Sequence, residues 1–322
     1  MKPRREHIVA LAGGVGGAKL AHGLTLARPD GPLSLIVNTA DDFTLYGLHI
    51  SPDLDTVMYT LAGMANPETG WGLAAETFSG LDMLALYGHD TWFRLGDRDF
   101  ATHILRSERL RAGASLSQVT AELTAALGIM ARVMPMCDEP VATTVETSDG
   151  ALDFQDYFVR RGQADDVRGV RFDGIERATL TPSVGDALDS AGAVILCPSN
   201  PIVSIGPILA VPGLREQLRS LTAPIVAVSP IVGGKALKGP ADRMLASLGH
   251  EVSAFGVAAL YGDFLDGIVI DEEDRALAKR IEELGIVTVV TNTIMRTDDD
   301  RRELAAATLD FAAVLAESGR LR

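Results

Sequence analysis

Two aspartates flank a leucine in SPDLDTVMY: Asp53 and Asp55, just after Pro52 and at the head of an apolar helical pattern. One carboxylate there caps the open N–H groups of a helix start. A second exceeds what a cap requires. Near an anionic ligand such a pair shares a divalent metal or accepts a proton from an attacking hydroxyl. A second acidic pair, Asp41 and Asp42, follows Asn38 in NTADD. It stands where a doubly wound fold reads a ribose or base, and it also suits a metal or a simple acidic turn. LGDRDFATH carries Asp97, Arg98, Asp99 and His103. Alternating charge of that kind is ordinarily a solvated salt-bridge cluster. A tight Gly-Asp-Arg-Asp before a helix also lets Arg98 aim a guanidinium into a pocket. His103, at helical spacing, reads as structural.

Three small-residue loops could receive phosphates, because backbone N–H groups approach an oxyanion closely where side chains are small. The first holds Gly13, Gly14, Gly16, Gly17 and Lys19 in LAGGVGGAKL. Its spacing is neither GxGxxG nor a P-loop. The second offers Ser199, Asn200 and Ser204, and the third Gly233, Gly234, Lys235 and Lys238. Each also reads as an ordinary βα connection with Gly and Pro punctuation. Tyr261, Asp263 and Asp266 suit core or capping roles at least as well. No Ser-His-Asp set, HExxH, EF-hand or CxxC is present, which argues against an activated-serine hydrolase or a zinc enzyme.

Positioning these loops requires strands. Short apolar runs at 7–12, 33–38, 192–197, 224–229, 267–270 and 286–291 lack alternation, as strands buried on both faces do. Helical patterns at 17–27, 54–65, 213–221, 240–248, 274–284 and 299–317 alternate with them. The expected fold is therefore α/β, a Rossmann-like doubly wound parallel sheet. Two regions break the rhythm. Residues 74–130 read as an extra helical region, with an amphipathic helix at 115–128. Residues 141–177 alternate like antiparallel strands and carry hairpin turns. The expected organisation is a nucleotide-binding core of 1–135 and 180–322, with a small inserted β lobe at 136–179.

The chain has 322 residues and a formal charge of −14, which speaks against a nucleic-acid or anionic-membrane partner. Phosphates bound to so acidic a protein need inward-facing Lys and Arg, or a divalent metal. Cys137 and Cys197 form no CxxC or zinc pattern and read as reduced thiols of a cytoplasmic protein. The basic start and short apolar run of MKPRREHIVALAGG end in a glycine loop, not a cleavage-type site, so they read as a first strand and not a signal peptide. No stretch approaches the length of a membrane helix.

Taken in order, GGVGGAKL, NTADD, SPDLDTVMY, LGDRDFATH, CPSNPIVSI, SPIVGGKALKGPAD and YGDFLDG resemble the 2-phospho-L-lactate transferase family of coenzyme F-420 biosynthesis. The resemblance spans most of the chain. Where the family usually has Thr in its first loop, this chain has Val15. The resemblance implies a guanosine diphosphate-activated three-carbon acid as donor, the deazaflavin FO as acceptor, release of GMP, and magnesium as cofactor. The donor unit is phospholactyl, phosphoenolpyruvyl or 3-phosphoglyceryl. FO contacts fall on Asp53 or Asp55 and on Arg98. The catalytic carboxylate is Asp53 or Asp55. Metal ligands come from Asp41, Asp42, Asp53 and Asp55, and the nests at 13–17 and 233–234 hold the guanosine side. A homodimer is expected. The alternative is a non-catalytic nucleotide- or sugar-binding regulator of the gluconeogenesis-factor type. A nicotinamide oxidoreductase is less consistent, since no catalytic Tyr-Lys or His-Asp pattern supports it.

Overall fold

A computed structural model describes residues 7–318. Seven strands make the main sheet: β1 Ile8–Ala12, β2 Leu33–Val37, β3 Arg132–Pro135, β4 Ala193–Leu196, β5 Ile225–Val228, β6 Gly267–Ile270 and β7 Val287–Val290. Their order is β7-β6-β5-β4-β1-β2-β3, and every pairing is parallel. This is the doubly wound sheet that the apolar runs predict. β1 shows why those runs lack alternation. Its five residues are all buried. Val9 and Leu11 enter the core on one face, while Ile8, Ala10 and Ala12 enter the core on the other.

Helices cover both faces. Four of them position the site: α1 Gly14–Ala27, α2 Pro52–Leu61, α3 Asp97–Arg111 and α4 Asp298–Ser318. α1 packs between α2 and α4. Gly23 lets it lie close to α4, because a Cβ there would stand 2.2 Å from the Arg301 carbonyl oxygen.

All six expected strands form. The seventh, β3, lies between the region read as helical and the inserted lobe, in a stretch of the core to which no element was assigned. Its four residues end in Pro135, a residue confined to edge positions, and β3 is the edge of the sheet. Residues 74–130 hold helices at Ser79–Leu86, Asp97–Arg111 and Leu116–Ala126. The last carries a Ser115–Gln118 capping box. The 274–284 pattern divides into a 3₁₀ turn, Glu272–Leu277, and a short helix, Ala278–Glu282. A hairpin of Phe43–Leu45 and Leu48–Ile50 was not expected. Its two turn residues, Tyr46 and Gly47, both have positive φ, as a tight hairpin demands.

The lobe is a three-stranded antiparallel sheet of Ala142–Thr147, Gly150–Asp153 and Val167–Asp173. It does not stand apart. Val145, Phe154 and Tyr157 share a buried cluster with Val203 and Met244 of the core. Between its second and third strands lies a π-helical turn, Asp156–Arg160.

Candidate functional site

The order of the sheet reverses between β1 and β4. There the C-terminal strand ends diverge and leave a crevice. A cavity of about 770 Å³ opens above it. One half is lined by loops at strand ends, the other by side chains from α2, α3 and the lobe.

The loop half begins at the glycine turn after β1. Gly13, Gly14, Val15, Gly16 and Lys19 line it. The Gly13 amide donates to Ser199 Oγ at 3.0 Å, and the Gly14 amide to Asp53 Oδ1 at 2.8 Å. The glycines serve close protein packing as well as access. A Cβ at Gly16 would stand 2.3 Å from the Pro198 carbonyl oxygen, and one at Gly17 2.5 Å from Ser199 Oγ. Gly17 itself lies beneath the cavity wall. Ser199, Asn200 and Ser204 line the cavity after β4, Ser229 and Pro230 after β5, and Thr293 to Arg296 after β7. Thr293 is fixed by Asp271, which accepts from its amide at 2.8 Å and its hydroxyl at 2.9 Å. Lys19 donates to the Met295 carbonyl at 2.9 Å and Lys238 to that of Thr69 at 2.7 Å. Both ammonium groups thus reach the cavity and bond neutral carbonyls. Burial lowers the Lys19 pKa, with Arg301 and Lys238 adding repulsion.

Four carboxylates line the cavity: Asp41, Asp53, Asp55 and Asp99. Asp53 accepts from Gly14 N and from Asn38 Nδ2 at 3.0 Å. It therefore ties α2 to the start of α1, where a negative charge meets the helix dipole. Burial nevertheless pushes its pKa up to about 6, against these donors and with help from Asp42. Asp41 accepts from Thr143 Oγ1 of the lobe at 3.2 Å. Burial, then the charge of Asp53, raises its pKa well above the usual carboxylate range. Asp55 faces Arg106, a fully buried residue of α3. Nη1 donates to Oδ2 at 3.1 Å, and Nη2 donates to Oδ1.

The side-chain half is apolar and aromatic: Tyr59, Trp71, Phe93, Leu95, Phe154 and Phe158 line it, with Arg94 at its edge. Phe154 and Phe158 stack at 5.4 Å with their planes within 6°. Tyr59 donates to Asp99 Oδ1 at 2.7 Å. His103 is buried and lines the same wall. Arg106 Nη1 lies 3.3 Å from its Nδ1. A guanidinium only donates, so Nδ1 accepts and Nε2 carries the proton. Nε2 lies 3.3 Å from Asp99 Oδ1 but is not aligned for a hydrogen bond. Burial opposes ionisation of Asp99. His103, Tyr59 and Arg106 overcome that and hold its pKa below the usual value.

Several expected residues lie elsewhere. Asp42 does not line the cavity; His49 Nε2 lies 2.9 Å from its Oδ2, and Ser51 donates to the same oxygen at 2.7 Å. The four-aspartate metal set therefore does not converge. Gly233, Gly234 and Lys235 also stand outside the lining, and the Gly233 amide is taken by Asp274 at 3.1 Å. The third loop reaches the cavity further on, through Leu237 to Ala241. Arg98 is exposed and outside the lining. Its amide is held by Glu76, and Nη1 donates to the Ala74 carbonyl at 3.0 Å. The helix that starts at Asp97 turns Asp99 and His103 inward and Arg98 outward. Sequence reasoning read Asp99 as part of a salt-bridge cluster and His103 as structural, and it missed Tyr59, Arg106 and the aromatic wall. The i, i+4 spacing of Asp99 and His103 was the one available signal that they share a face.

A Rossmann-type sheet with a cavity at its switch point, lined by small-residue loops on one side and an aromatic wall on the other, places the chain in the class of Rossmann-like α/β proteins. The chain belongs to the 2-phospho-L-lactate transferase CofD family, whose model matches residues 8–309. It is 41% identical over 298 residues to the 2-phospho-L-lactate transferase of Methanosarcina mazei, covering 92% of this chain and 98% of the relative. It is 44% identical over 312 residues to the phosphoenolpyruvate transferase of Kitasatospora aureofaciens, covering 95% and 97%. The chain is accordingly a transferase, which decides against the regulator and oxidoreductase readings. A UPF0052-family protein of Bacillus halodurans shares the fold, with a TM-score of 0.67 at 15% identity over 96% of this chain and 99% of that one. Among the described residues no helix is long and apolar enough to cross a membrane.

Proposed function

We propose that the protein moves a phospho-acid unit from a guanosine diphosphate-activated three-carbon acid to the terminal ribityl hydroxyl of the deazaflavin FO, releasing GMP, in coenzyme F-420 biosynthesis. The observation that carries this reading is the division of one cavity into an anion-loop half and an aromatic half, with buried carboxylates at the border. The two halves suit a nucleoside diphosphate and a planar ring system. Names of relatives in the family divide between phospholactate and phosphoenolpyruvate. The donor is one of these or the 3-phosphoglyceryl analogue.

Displacement at a diphosphate depends on alignment, charge neutralisation and a proton acceptor, more than on a covalent nucleophile. In this reading the first turn of α1, Ser199 and the Lys19 and Lys238 ammonium groups hold the diphosphate. The aromatic wall orients the deazaflavin ring, so that its hydroxyl chain points to the border acids. Asp53 or Asp55 orients the attacking hydroxyl. As the new P–O bond forms and the bond to GMP breaks, the hydroxyl proton passes to a border carboxylate.

Magnesium fits this border. Asp41 and Asp53 are buried, face the cavity, and among the described residues have no Lys or Arg bonded to them, while each suffers from neighbouring negative charge. One or two carboxylates with substrate phosphates are the usual magnesium set. Asp55 is less suited, because Arg106 engages both its oxygens. The trio Asp55, Asp99 and His103 converges within 4.8 Å. Arg106 sets against a metal there, since it fixes a proton on His103 Nε2. Magnesium, when bound, would neutralise charge on the phosphate oxygens.

The test is mass spectrometry of products from FO with each of the three donors. The expected result is GMP release only when FO is present, with one donor turned over fastest. Nucleotide binding without any release would overturn the donor and acceptor assigned here. We also read it as a cytoplasmic homodimer, which size measurement on the purified protein would test.

A further inference from the structure

The four carboxylates that line the cavity are not equally committed. Asp53 has both oxygens bonded, to Gly14 and to Asn38. Asp55 has both engaged by Arg106. Among the described residues Asp41 accepts at Oδ1 alone, from Thr143 of the lobe, but burial and the charge of Asp53 raise its pKa well above the usual carboxylate range, so its second oxygen belongs to a group that resists ionisation. Asp99 differs. Its Oδ1 receives the Tyr59 hydroxyl and faces His103, while its Oδ2 makes no hydrogen bond among the described residues. Its side chain is 13% exposed, and that exposure opens on the cavity. The carboxylate is thus fixed in direction by one oxygen and offers the other.

Its placement decides what the free oxygen meets. Asp99 stands in the first turn of α3, within 4.8 Å of Asp55 by ligand atoms, where the border acids give way to the aromatic wall. A planar ring seated on that wall and reacting through a hydroxyl at the border must pass its connecting chain beside Asp99. An ionised carboxylate there accepts hydrogen bonds from hydroxyls and repels a chain carrying phosphate. We propose that Asp99 is a specificity-determining residue, whose Oδ2 accepts a hydrogen bond from the inner hydroxyls of a polyhydroxyl acceptor chain. Tyr59 and His103 are positioning residues that keep this oxygen turned to the cavity. The inference rests on the acceptor reading above.

The experiment compares two acceptors: FO, and a deazaflavin carrying a 5-hydroxypentyl chain, which keeps the terminal hydroxyl and lacks the inner ones. A hydrogen bond to a charged group that the analogue cannot make corresponds to a preference of roughly 10- to 100-fold in kcat/KM for FO. Asp99→Asn keeps an oxygen for Tyr59 and replaces the offered oxygen by a donor. The preference should fall to within about threefold, mainly through KM for FO, while GDP affinity by calorimetry stays unchanged. Equal loss with both acceptors would make Asp99 structural and overturn the proposal, as would a preference that survives in the variant. If the variant does not fold, the wild-type ratio still decides, since absence of any preference overturns it. A wild type that neither binds FO nor releases GMP with it overturns the functional reading and this inference together. Normal wild-type turnover with an unmoved ratio overturns this inference alone.

Discussion

The two halves of the cavity are built in opposite ways. The loop half is mostly backbone: strand ends of β1, β4, β5 and β7, with small residues that let chains approach. The other half is mostly side chain, contributed by α2, α3, the segment around Trp71 and the π-helical turn of the lobe. A backbone-built site depends on where strands end, and tolerates many side chains between its small residues. A side-chain-built site depends on buried partners that hold each group in place. The most sensitive residues should therefore lie in the second half, one layer behind the cavity.

Arg106 tests that most severely. It is fully buried and engages both oxygens of Asp55. Arg106→Leu leaves Asp55 as a buried charge without its partner, a change that costs about 3–5 kcal/mol. Chemical denaturation should show that loss, and turnover should fall with it. A variant of wild-type stability would mean that water or another cation reaches Asp55. Asp55→Asn, beside it, separates charge from shape. The amide leaves the buried Arg106 charge without its anion, so stability should fall as well, and turnover of the folded protein should fall about a hundredfold if the carboxylate takes the proton.

The loop half breaks more gently. Gly16→Ala places a Cβ 2.3 Å from the Pro198 carbonyl, so the turn after β1 and the loop after β4 must part. Overpacking of this kind costs about 1–3 kcal/mol. GDP affinity should fall too if the first turn of α1 holds the diphosphate, as proposed above. Tight GDP binding in a destabilised variant would show that the glycines serve packing alone.

This contrast also explains what was legible in the sequence. Gly, Ser and Pro at the ends of apolar runs announce a backbone-built site, and Gly13, Gly14, Gly16, Ser199 and Asn200 do line the cavity. So do Asp53 and Asp55, a pair that exceeds the needs of a helix cap, and Asp41 of the acidic turn after β2. The sheet was legible because strands buried on both faces are uniformly apolar, and only the Pro-ended edge strand β3 escaped. The other half was not legible. Arg106 lies 51 positions beyond Asp55, and its burial exists only once α3 packs beside the Leu48–Ile50 strand. Phe154 and Phe158 look like ordinary lobe core until the π-helical turn at Asp156–Arg160 brings Phe158 onto Phe154 at the cavity. Gly233, Gly234 and Lys235 had the right composition, but the small hairpin of Ile231–Val232 and Lys235–Ala236 turns them aside.

Magnesium and pH sharpen the border between the halves. Burial raises the folded-state pKa of Asp53 to about 6, above the usual carboxylate range. A raised acid pKa means that the folded protein holds the proton more tightly than the unfolded chain. Stability from this group is therefore present at low pH and is lost as pH rises from the unfolded value through about 6. A cation at Asp41 and Asp53 would offset that loss only where the carboxylates are ionised. At ten times its dissociation constant a ligand adds about 1.4 kcal/mol, a melting shift of roughly two degrees in a chain of this size. The shift should be present at pH 8 and absent at pH 5. An equal shift at both would place the ion elsewhere, and full transfer in EDTA would remove magnesium from the reading.

The smallest expected effect sets family resemblance against geometry. The resemblance assigns Arg98 to the deazaflavin, whereas the folded chain leaves it exposed, with its guanidinium on the Ala74 carbonyl and its amide on Glu76. Glu76 needs Gly96 beside it, since a Cβ there would stand 1.4 Å from its carboxylate. The start of α3 is thus held by Glu76 through backbone contacts that Arg98→Ala preserves. What the substitution removes is one exposed hydrogen bond to a carbonyl, a contact that water replaces at little cost. Melting temperature and KM for FO should both stay near wild type, with KM within about twofold, as for surface changes away from special features. A tenfold rise in KM, with stability intact, would show that Arg98 swings into the cavity when the acceptor binds. The side-chain half would then be completed by its ligand, while the loop half stands ready before either substrate arrives.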